Sequence, residues 1–261
     1  MKPRWQPLAE AAGRWETDLG AWFAGERVVF RGRDLLHDLA PLPWMELLLY
    51  GITGRRFTPE QVKLFEQMWV LSVSYPDPRL WNNRVAALGG SARTTAALAA
   101  AAATAVTEAR IYGGQANYGA IAFIRRALQA EDPEVLVMEE LRVRRHVPGY
   151  GRPIVAVDER IPPLLTCARE LGLADGPHVH LAFEVERVLK RRRMKMNITG
   201  LAAALAADQG LMPSEYQAYV SFAFGAGILP CYVDAAVHPE QAFFPFRCES
   251  IDYEGPPPRA W

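Results

Sequence analysis

The longest apolar run in the chain, Ala96–Val106, consists mainly of alanine and lies within the segment SARTTAALAAAAATAVTEAR. Side chains this small allow neighbouring helices to approach closely, so the segment predicts a helix at the centre of the fold or at a subunit interface. The run is too short to span a bilayer. Elsewhere the chain shows little strand-like alternation and is typical of helices separated by Gly and Pro, which predicts an all-α fold.

The composition indicates a folded protein without a dominant charged partner. The chain has 261 residues, of which 50% are hydrophobic and 22% charged, enough for one large domain or two modest ones. Lys+Arg and Asp+Glu both total 29, so net charge favours neither nucleic acid nor a membrane surface. The three cysteines match no disulfide framework, and MKPRWQPLAE contains no apolar signal core, so we expect a cytoplasmic location.

Three helix starts can be predicted from capping residues. In FTPEQV, Thr58 is the expected N-cap, Pro59 the first helical residue and Gln61 the partner in a capping box. Asp132 predicts a second start and Ser214 a third. Each assignment places a side-chain oxygen where the first backbone N–H groups of a helix lack partners.

Both ends of the chain depart from the helical pattern. The segment AWFAGERVVFRG predicts a small hairpin that turns at Gly25 and lies outside the helical core. The tail from His238 onward is rich in aromatic residues and proline, so we expect it to be extended and packed onto a surface.

Four segments combine glycine with polar or charged residues. RIYGGQAN (110–117) is either a helix start that binds an anion or a turn after the alanine-rich helix. VPGYGRP (147–153) places Arg152 after a glycine turn, where it binds a carboxylate or phosphate or lies on the surface. LKRRRMKMNITG (189–200) is a solvated helix end or a phosphate-binding patch. YPDPRLWNNRVAALGG (75–90) more often fixes a tight connection than performs catalysis.

Spacing alone identifies neither a metal site nor a reaction. The sequence has no HExxH, GxSxG, P-loop or strand-linked GxGxxG motif. The HVH triplet directs its two rings to different faces of a helix, which argues against a shared metal. We therefore expect no metal. The histidines are His37, His146, His178, His180 and His238.

In their order along the chain, these segments resemble the citrate synthase superfamily, especially its short members and the citryl-CoA lyase module. RGRDLLHDLAPLPWMELLLYGITGRRFTPEQ is similar to the family's RGY-x-x-x-DL element, its "LLL-x-G" helix and its TPEQ-type successor. RIYGGQAN is similar to the HGGA-N junction, and VPGYGRP to the PGxGHR loop. MNITGLAAALAADQGL resembles the NVDG segment that begins a helix, and IDYEGPPPR the closing Y-x-GP-x-PR. The resemblance covers about residues 15–259.

The resemblance implies a helical homodimer with a large domain and a smaller mobile domain. Residues 1–110 would form the N-terminal part of the large domain, and 111–210 the glycine-loop region and small domain. Residues 211–261 would return to the large domain and end in an extended tail. Family members join or break a carbon–carbon bond next to a thioester carbonyl. The resemblance therefore implies coenzyme A or acyl-CoA and a carboxylic acid as ligands.

The resemblance also shows that three catalytic positions are substituted. Tyr112 stands where HGGA has histidine, Arg152 where PGxGHR has histidine, and Thr199 where NVD has the aspartate that acts as base. Tyr112 could donate a hydrogen bond to an enolate oxygen and Arg152 could hold a carboxylate or oxyanion, whereas Thr199 cannot act as the base. No sequence pattern selects a replacement base from three candidates: Asp158, Asp234 and His178.

The predicted coenzyme A site combines the glycine loops with the basic run, which stands near the position where family members meet the phosphates of coenzyme A. In AFGAGILPCYVD the family's substrate-binding arginine and histidine are absent, near Phe224 and Cys231. This absence disfavours the usual binding of a carboxylate. The residues predicted to bind coenzyme A are Gly113, Gly114, Gly149, Gly151, Lys190, Arg192, Arg193, Lys195 and Asn197.

Two functional hypotheses follow, and a third gives the chain no site at all. The first is an acyl-CoA transferase or lyase with an atypical active site around Tyr112, Arg152 and Thr199. The second is a noncatalytic subunit that binds coenzyme A or regulates an active paralogue in a hetero-oligomer. In the third, the glycine loops and arginines only form turns and surface charge, and fold alone does not decide among the three.

Overall fold

The computed structural model describes residues 5–73, 75–110, 113–152, 157–192, 194–240, 242 and 247–256. Backbone contacts divide the chain into two units, Met1–Val62 and Lys63–Trp261. The three-segment division expected from the sequence stays a prediction. Within the described residues most regular structure is α-helical, which confirms the all-α fold class.

The first unit contains the predicted N-terminal hairpin. β1 (Gly20–Phe23) and β2 (Arg27–Phe30) pair antiparallel. The turn residue Gly25 has a φ of 76°, a conformation that favours glycine. A third strand, β3 (Arg33–Asp34), pairs with β2 and completes a small sheet.

A helix of the same unit is tied to the chain beyond β2. The Tyr50 hydroxyl donates to the Arg31 carbonyl oxygen at 2.7 Å, and the Arg31 guanidinium donates back to the Gly51 carbonyl oxygen at 2.9 Å. The helical segments that begin in this unit are α1 (Gln6–Glu10), a π-helical turn (Leu35–Leu39), α2 (Trp44–Thr53) and α3 (Pro59–Leu71).

The second unit is organised around α10 (Ile198–Asp208). This helix is buried continuously from Gly200 to Ala207. It packs against α6 (Gly114–Gln129) and α9 (Pro177–Leu189). The remaining α-helices of the unit are α4 (Trp81–Ser91), α5 (Ala96–Val106), α7 (Pro133–Arg144), α8 (Ile161–Glu170), α11 (Pro213–Ala223) and α12 (Gly225–Val237).

The alanine-rich helix α5 is not central, contrary to one of the two alternatives predicted for it. Ala99 and Ala103 are buried, but Leu98 is 65% exposed. Its apolar residues therefore form one stripe, which packs on α4 and α12. The central position belongs to α10, which is buried without a break from Gly200 to Ala207. A subunit interface on the exposed face of α5 stays a prediction.

Two of the three predicted helix starts are confirmed. Thr58 N–H donates to Gln61 Oε1 at 2.8 Å, and Gln61 N–H donates to Thr58 Oγ1 at 3.3 Å, which completes the capping box of α3. Asp132 Oδ1 accepts from the N–H groups of Glu134 and Val135 at 2.8 and 3.3 Å, and so caps α7.

The assignment of Ser214 as an N-cap is wrong by two residues. Helix α11 begins at Pro213, with Met212 in the N-cap position. The Glu215 carboxylate accepts from Met212 N–H at 2.8 Å. Proline suits the first helical position, so the proline and the glutamate together start the helix before the serine.

Part of the tail lies within the described residues. Apart from a 3-10 turn at Cys248–Ser250 this part has no regular structure. Ile251 is 61% exposed and Tyr253 73% exposed. Phe243, Phe244 and Phe246 lie outside the described residues, so the expected packing of the tail onto a surface stays a prediction.

Helices α11 and α12 run almost continuously over Pro213–Val237. By length and composition alone this stretch could cross a membrane, a test that core helices of soluble proteins also pass. Tyr219, Val220 and Ile228 are buried within the second unit. The expectation of no membrane partner stays a prediction.

Replacing Asp132 by alanine should lower the free energy of unfolding by about 1 kcal/mol, because two N–H groups at the start of α7 lose their acceptor. Asp132→Asn keeps a side-chain oxygen and should lose much less. Urea unfolding monitored by circular dichroism measures both variants. Equal losses in the two variants would contradict the capping role.

Candidate functional site

A cavity of about 620 Å³ lies within the second unit. Its wall combines the end of α3, the connection to α4, the first turn of α6 and the glycine loop VPGYGRP. The first turns of α10 and the junction of α11 with α12 complete it. Of the predicted catalytic and coenzyme A-binding residues, those that line it are Gly151, Arg152, Asn197 and Thr199, and the candidate base Asp158 also lines it.

The glycine loop and the start of α10 are joined by backbone hydrogen bonds. Asn197 N–H donates to the Gly149 carbonyl at 3.0 Å, and Gly151 N–H donates to the Lys195 carbonyl at 2.7 Å. Asn197 Nδ2 also donates to the Gly151 carbonyl at 2.9 Å. Gly149 has a φ of 87°, and a β-carbon there would lie 2.7 Å from the Gly200 Cα. The loop can follow this path only with glycine at position 149.

Arg152 is held in the cavity wall by three acceptors. Its Nη1 donates to the Val157 carbonyl at 2.8 Å and to Glu159 Oε2 at 2.6 Å, and its Nη2 donates to the Tyr75 hydroxyl at 2.8 Å. The hydrogen bond to Glu159 raises the pKa of Arg152 and lowers the pKa of Glu159. The guanidinium is therefore fixed and charged, and a bound anion would share it with an exposed carboxylate.

Asp158 and Arg160 form a second ion pair in the wall. The sequence did not predict this pair. Arg160 Nε and Nη2 donate to the two Asp158 carboxylate oxygens, both at 2.8 Å. Ile198 N–H, at the start of α10, donates to Asp158 Oδ2 at 2.9 Å. The spacing of an aspartate two residues before an arginine, shortly after the glycine loop, was the available signal.

The environment of Asp158 keeps it ionised. Burial alone would raise the pKa of Asp158, but the hydrogen bonds from Arg160 and Ile198 and the charge of Arg160 outweigh burial and lower it. Both oxygens already accept hydrogen bonds, so Asp158 is suited to fixing Arg160 and the start of α10. It is poorly suited to removing a proton from a substrate.

The other two candidate bases lie outside the cavity wall. His178 Nδ1 is 2.7 Å from Asp208 Oδ1, and the Asp208 carboxylate also accepts from the N–H groups of His178 and Val179 at the start of α9. Neither His178 nor Asp234 lines the cavity. Among the described residues, no group of three or more His, Cys, Asp or Glu side chains could hold a metal ion.

The structure gives the glycines of RIYGGQAN a packing role. Tyr112 lies outside the described residues, and Gly113 and Gly114 begin α6. A β-carbon on Gly114 would lie 2.5 Å from Glu108 Oε1, and Gln115 Nε2 donates to the same carboxylate at 2.9 Å. The chain's own carboxylate thus lies against the predicted anion site. One turn further on, Ala116 and Asn117 line the cavity.

The basic side chains of the predicted phosphate-binding run that lie within the described residues are exposed, and they do not line the cavity. Lys190 and Arg192 belong to a 3-10 turn that follows α9, and Arg193 lies outside the described residues. Arg192 instead borders a second depression together with Arg142 of α7. The backbone of Lys195 supports the glycine loop, while its side chain is exposed.

The connection between α3 and α4 is fixed tightly, as the sequence indicated. Arg79 forms a two-pronged contact with Asp77, and the hydrogen bonds from Arg79 lower the pKa of Asp77 to about 2. Asn83 Nδ2 donates to the Tyr75 carbonyl at 2.7 Å and to the Asp77 carbonyl at 3.2 Å. The same connection contributes Arg79, Asn82 and Asn83 to the cavity wall.

The remaining wall of the cavity is largely apolar. It includes Phe224 and Gly227, from the segment that lacks the family's arginine and histidine, whereas Cys231 is buried away from the cavity. This wall brings no charged group to a ligand. The apolar and aromatic side chains from α3, α11 and α12 are Met68, Leu71, Tyr216, Tyr219, Val220, Ala223 and Phe224.

Comparison with known families gives one match. The family model described as citrate synthase, C-terminal domain, matches residues 23–227. A comparison with curated protein sequences finds no significant match.

Solved structures with the same fold include a lyase and two larger enzymes. Citryl-CoA lyase from Hydrogenobacter thermophilus has a TM-score of 0.84 and 22% identity over 95% of this chain and 97% of that chain. ATP citrate lyase from Methanosaeta concilii, in complex with (3S)-citryl-CoA, has a TM-score of 0.76 and 16% identity. Citrate synthase from Thermoplasma acidophilum, with carboxymethyl coenzyme A and oxaloacetate, has a TM-score of 0.64 and 15% identity.

The lengths of these proteins differ. The match to ATP citrate lyase covers 98% of this chain but 45% of that chain. The match to the Thermoplasma citrate synthase covers 85% of this chain and 60% of that chain. This chain therefore spans less than half of the ATP citrate lyase and nearly all of the citryl-CoA lyase.

Replacing Asp158 by asparagine should lower the free energy of unfolding at neutral pH. It should also make that free energy fall less steeply as the pH is lowered. Because the folded pKa of Asp158 is depressed, its ionised form stabilises the fold above the unfolded value of about 4, and this contribution is lost as pH falls through the folded pKa.

Urea midpoints measured between pH 7 and pH 3 test this expectation. Asp175→Asn is the matched control, because Asp175 is exposed and should leave the profile unchanged. Parallel profiles for wild type and Asp158→Asn would contradict the account.

Proposed function

Because this chain belongs to the citrate synthase family, we propose that it binds an acyl-CoA and makes or breaks a carbon–carbon bond next to the thioester. One observation carries the proposal. The glycine loop and the start of α10, which resemble the family's catalytic segments, contribute Arg152 and Thr199 to the same cavity. Arg160 joins them through its pair with Asp158.

This reaction passes through an enolate of the thioester in either direction. The site must therefore stabilise negative charge on an oxygen, and a group must move a proton. Arg152 and Arg160 are fixed cations that suit the first task. Both are already neutralised in part by carboxylates, so a substrate oxygen would compete with Glu159 or share the guanidinium with Tyr75.

Thr199 limits the second task. It is the second residue of α10 and lines the cavity. Within the described residues, no carboxylate or imidazole hydrogen-bonds its hydroxyl. An aliphatic hydroxyl without such a partner does not remove protons at neutral pH, so proton transfer would depend on Tyr112 or on a group of the substrate.

The sizes of the related proteins favour a lyase among the possible activities. Citryl-CoA lyase is a protein of nearly this length, whereas the ATP citrate lyase and citrate synthase structures are longer. We therefore propose cleavage of a citryl-CoA-like thioester as the activity to test first. A carboxylic acid would be the second ligand, the protein would act as a cytoplasmic homodimer, and Lys190, Arg192 and Lys195 would meet phosphates of coenzyme A.

A second candidate function is a noncatalytic partner subunit that binds coenzyme A. The observation that favours it is the absence of an available base among the described cavity residues, since Asp158 has both oxygens occupied. Such a subunit would keep the fold and the cavity and would regulate an active paralogue in a hetero-oligomer.

Calorimetric titration with coenzyme A and acetyl-CoA, followed by assays of citryl-CoA cleavage and citrate formation, separates these functions. We expect binding together with cleavage. Binding without turnover would overturn the enzymatic proposal for these substrates and favour the partner subunit. Absence of binding would overturn both. If turnover survives the double substitution Tyr112→Phe and Arg152→Ala, the proposed site is wrong.

Restoring a carboxylate at position 199 should increase turnover. Thr199→Asp places a base where the family has one, and a carboxylate is compatible with the first turn of a helix. We expect roughly a tenfold or greater rise in citryl-CoA cleavage or citrate formation, the lower end of a general-base contribution. Thr199→Asn is the control, because it has a similar shape and no base. Equal rates in the two variants would contradict the role assigned to this position.

A further inference from the structure

Tyr216 is a buried tyrosine whose hydroxyl has no hydrogen-bond partner within the described chain. The residue is 1% exposed and lines the cavity. Burial raises the pKa of Tyr216, so the phenol stays neutral and acts as a donor at physiological pH. Because Tyr216 lines the cavity, its one O–H donor is available there to a ligand or to water.

The other buried tyrosines differ from Tyr216 in this respect. Each of them is at most 6% exposed. Each donates to a backbone carbonyl oxygen at 2.7 or 2.8 Å, so the chain itself satisfies these three phenols. The pairs are Tyr50 with Arg31, Tyr150 with Ala182, and Tyr219 with Phe65.

The surroundings of Tyr216 indicate which kind of acceptor would take the hydrogen bond of its hydroxyl. Its ring stacks on Tyr219 with centroids 6.2 Å apart, and Met68, Val220 and Ala223 lie in the same wall. Two polar groups of this wall are already used: Ser72 Oγ donates to the Ala223 carbonyl at 2.7 Å, and the Tyr219 hydroxyl donates to the Phe65 carbonyl at 2.7 Å. Burying a carboxylate beside such a wall costs far more than burying a neutral oxygen.

The charges of the cavity point the same way. Each described arginine of the wall has a carboxylate of the protein beside it: Arg79 has Asp77, Arg152 has Glu159 and Arg160 has Asp158. The charges of the wall are therefore close to balance. An acyl group with a carbonyl oxygen suits the apolar wall, where the Tyr216 hydroxyl is a donor that no described residue uses.

We propose that the Tyr216 hydroxyl donates a hydrogen bond to the carbonyl oxygen of the bound acyl thioester, and so distinguishes acyl-CoA from free coenzyme A. This inference rests on the proposed function. A neutral phenol also suits the reaction, because its hydrogen bond strengthens as the carbonyl oxygen gains charge in the enolate. Tyr216 would then touch the reacting group directly, from the wall that carries no charge.

The test is the ratio of two affinities in the full-length protein. Tyr216→Phe keeps the ring and removes only the hydroxyl, so coenzyme A should bind as in wild type while acetyl-CoA binds roughly five- to tenfold more weakly. Tyr50→Phe is the matched control, because its hydroxyl donates to the Arg31 carbonyl oxygen and Tyr50 does not line the cavity. It should lower the melting temperature and leave the affinity ratio unchanged.

Stability separates the ligand role from a structural one. Because the Tyr216 hydroxyl makes no hydrogen bond to a described residue, Tyr216→Phe should not lower the melting temperature. An unchanged affinity ratio in Tyr216→Phe, with both ligands still bound, would overturn the inference and indicate that water satisfies the phenol. If wild type binds neither ligand, the proposed function fails and the inference falls with it.

Discussion

The candidate site depends on the close approach of two backbones at Gly149 and Gly200. A β-carbon on either residue would overlap the other segment. Because the two segments are this close, Asn197 donates to the carbonyl oxygens of Gly149 and Gly151, and Gly151 N–H donates to the Lys195 carbonyl oxygen. Arg152, which follows Gly151, and Thr199, which precedes Gly200, then line one cavity. The backbone hydrogen bonds of the loop therefore place Arg152 in the cavity wall, and the ion pair with Glu159 then fixes its side chain.

Carboxylates within the wall then set the electrostatics of this cavity. Asp158 holds Arg160 and also accepts from the first turn of α10, so one buried anion fixes both a cation and a helix terminus. Glu159 pairs with Arg152 in a similar way, from a more exposed position. Such preformed pairs avoid the cost of isolated buried cations. They also make the cavity less selective for a highly charged ligand than free arginines would be.

Local rules and long-range packing explain which parts of this structure the sequence could predict. The capping box of Thr58 and Gln61 involves residues three apart, so its chemistry is legible without tertiary structure. The order of family-like segments correctly indicated that the glycine loop and the start of α10 belong together. The unpartnered hydroxyl of Tyr216 was not predictable, because it depends on what packs around α11. Likewise, the sequence did not distinguish the one-sided α5 from the fully buried α10.

In this chain, the cavity that would bind a ligand depends on many residues, whereas proton transfer depends on few. The cavity is built by several helices and by glycines whose replacement would disturb the fold, so it is maintained by the same constraints that maintain stability. Proton transfer depends on single side chains, such as the residue at position 199, which can change without loss of the fold. A family member that substitutes its catalytic positions therefore keeps ligand binding more readily than turnover. For this reason the proposed binding of an acyl group by Tyr216 and the apolar wall is a firmer basis for assigning function than the residue at position 199.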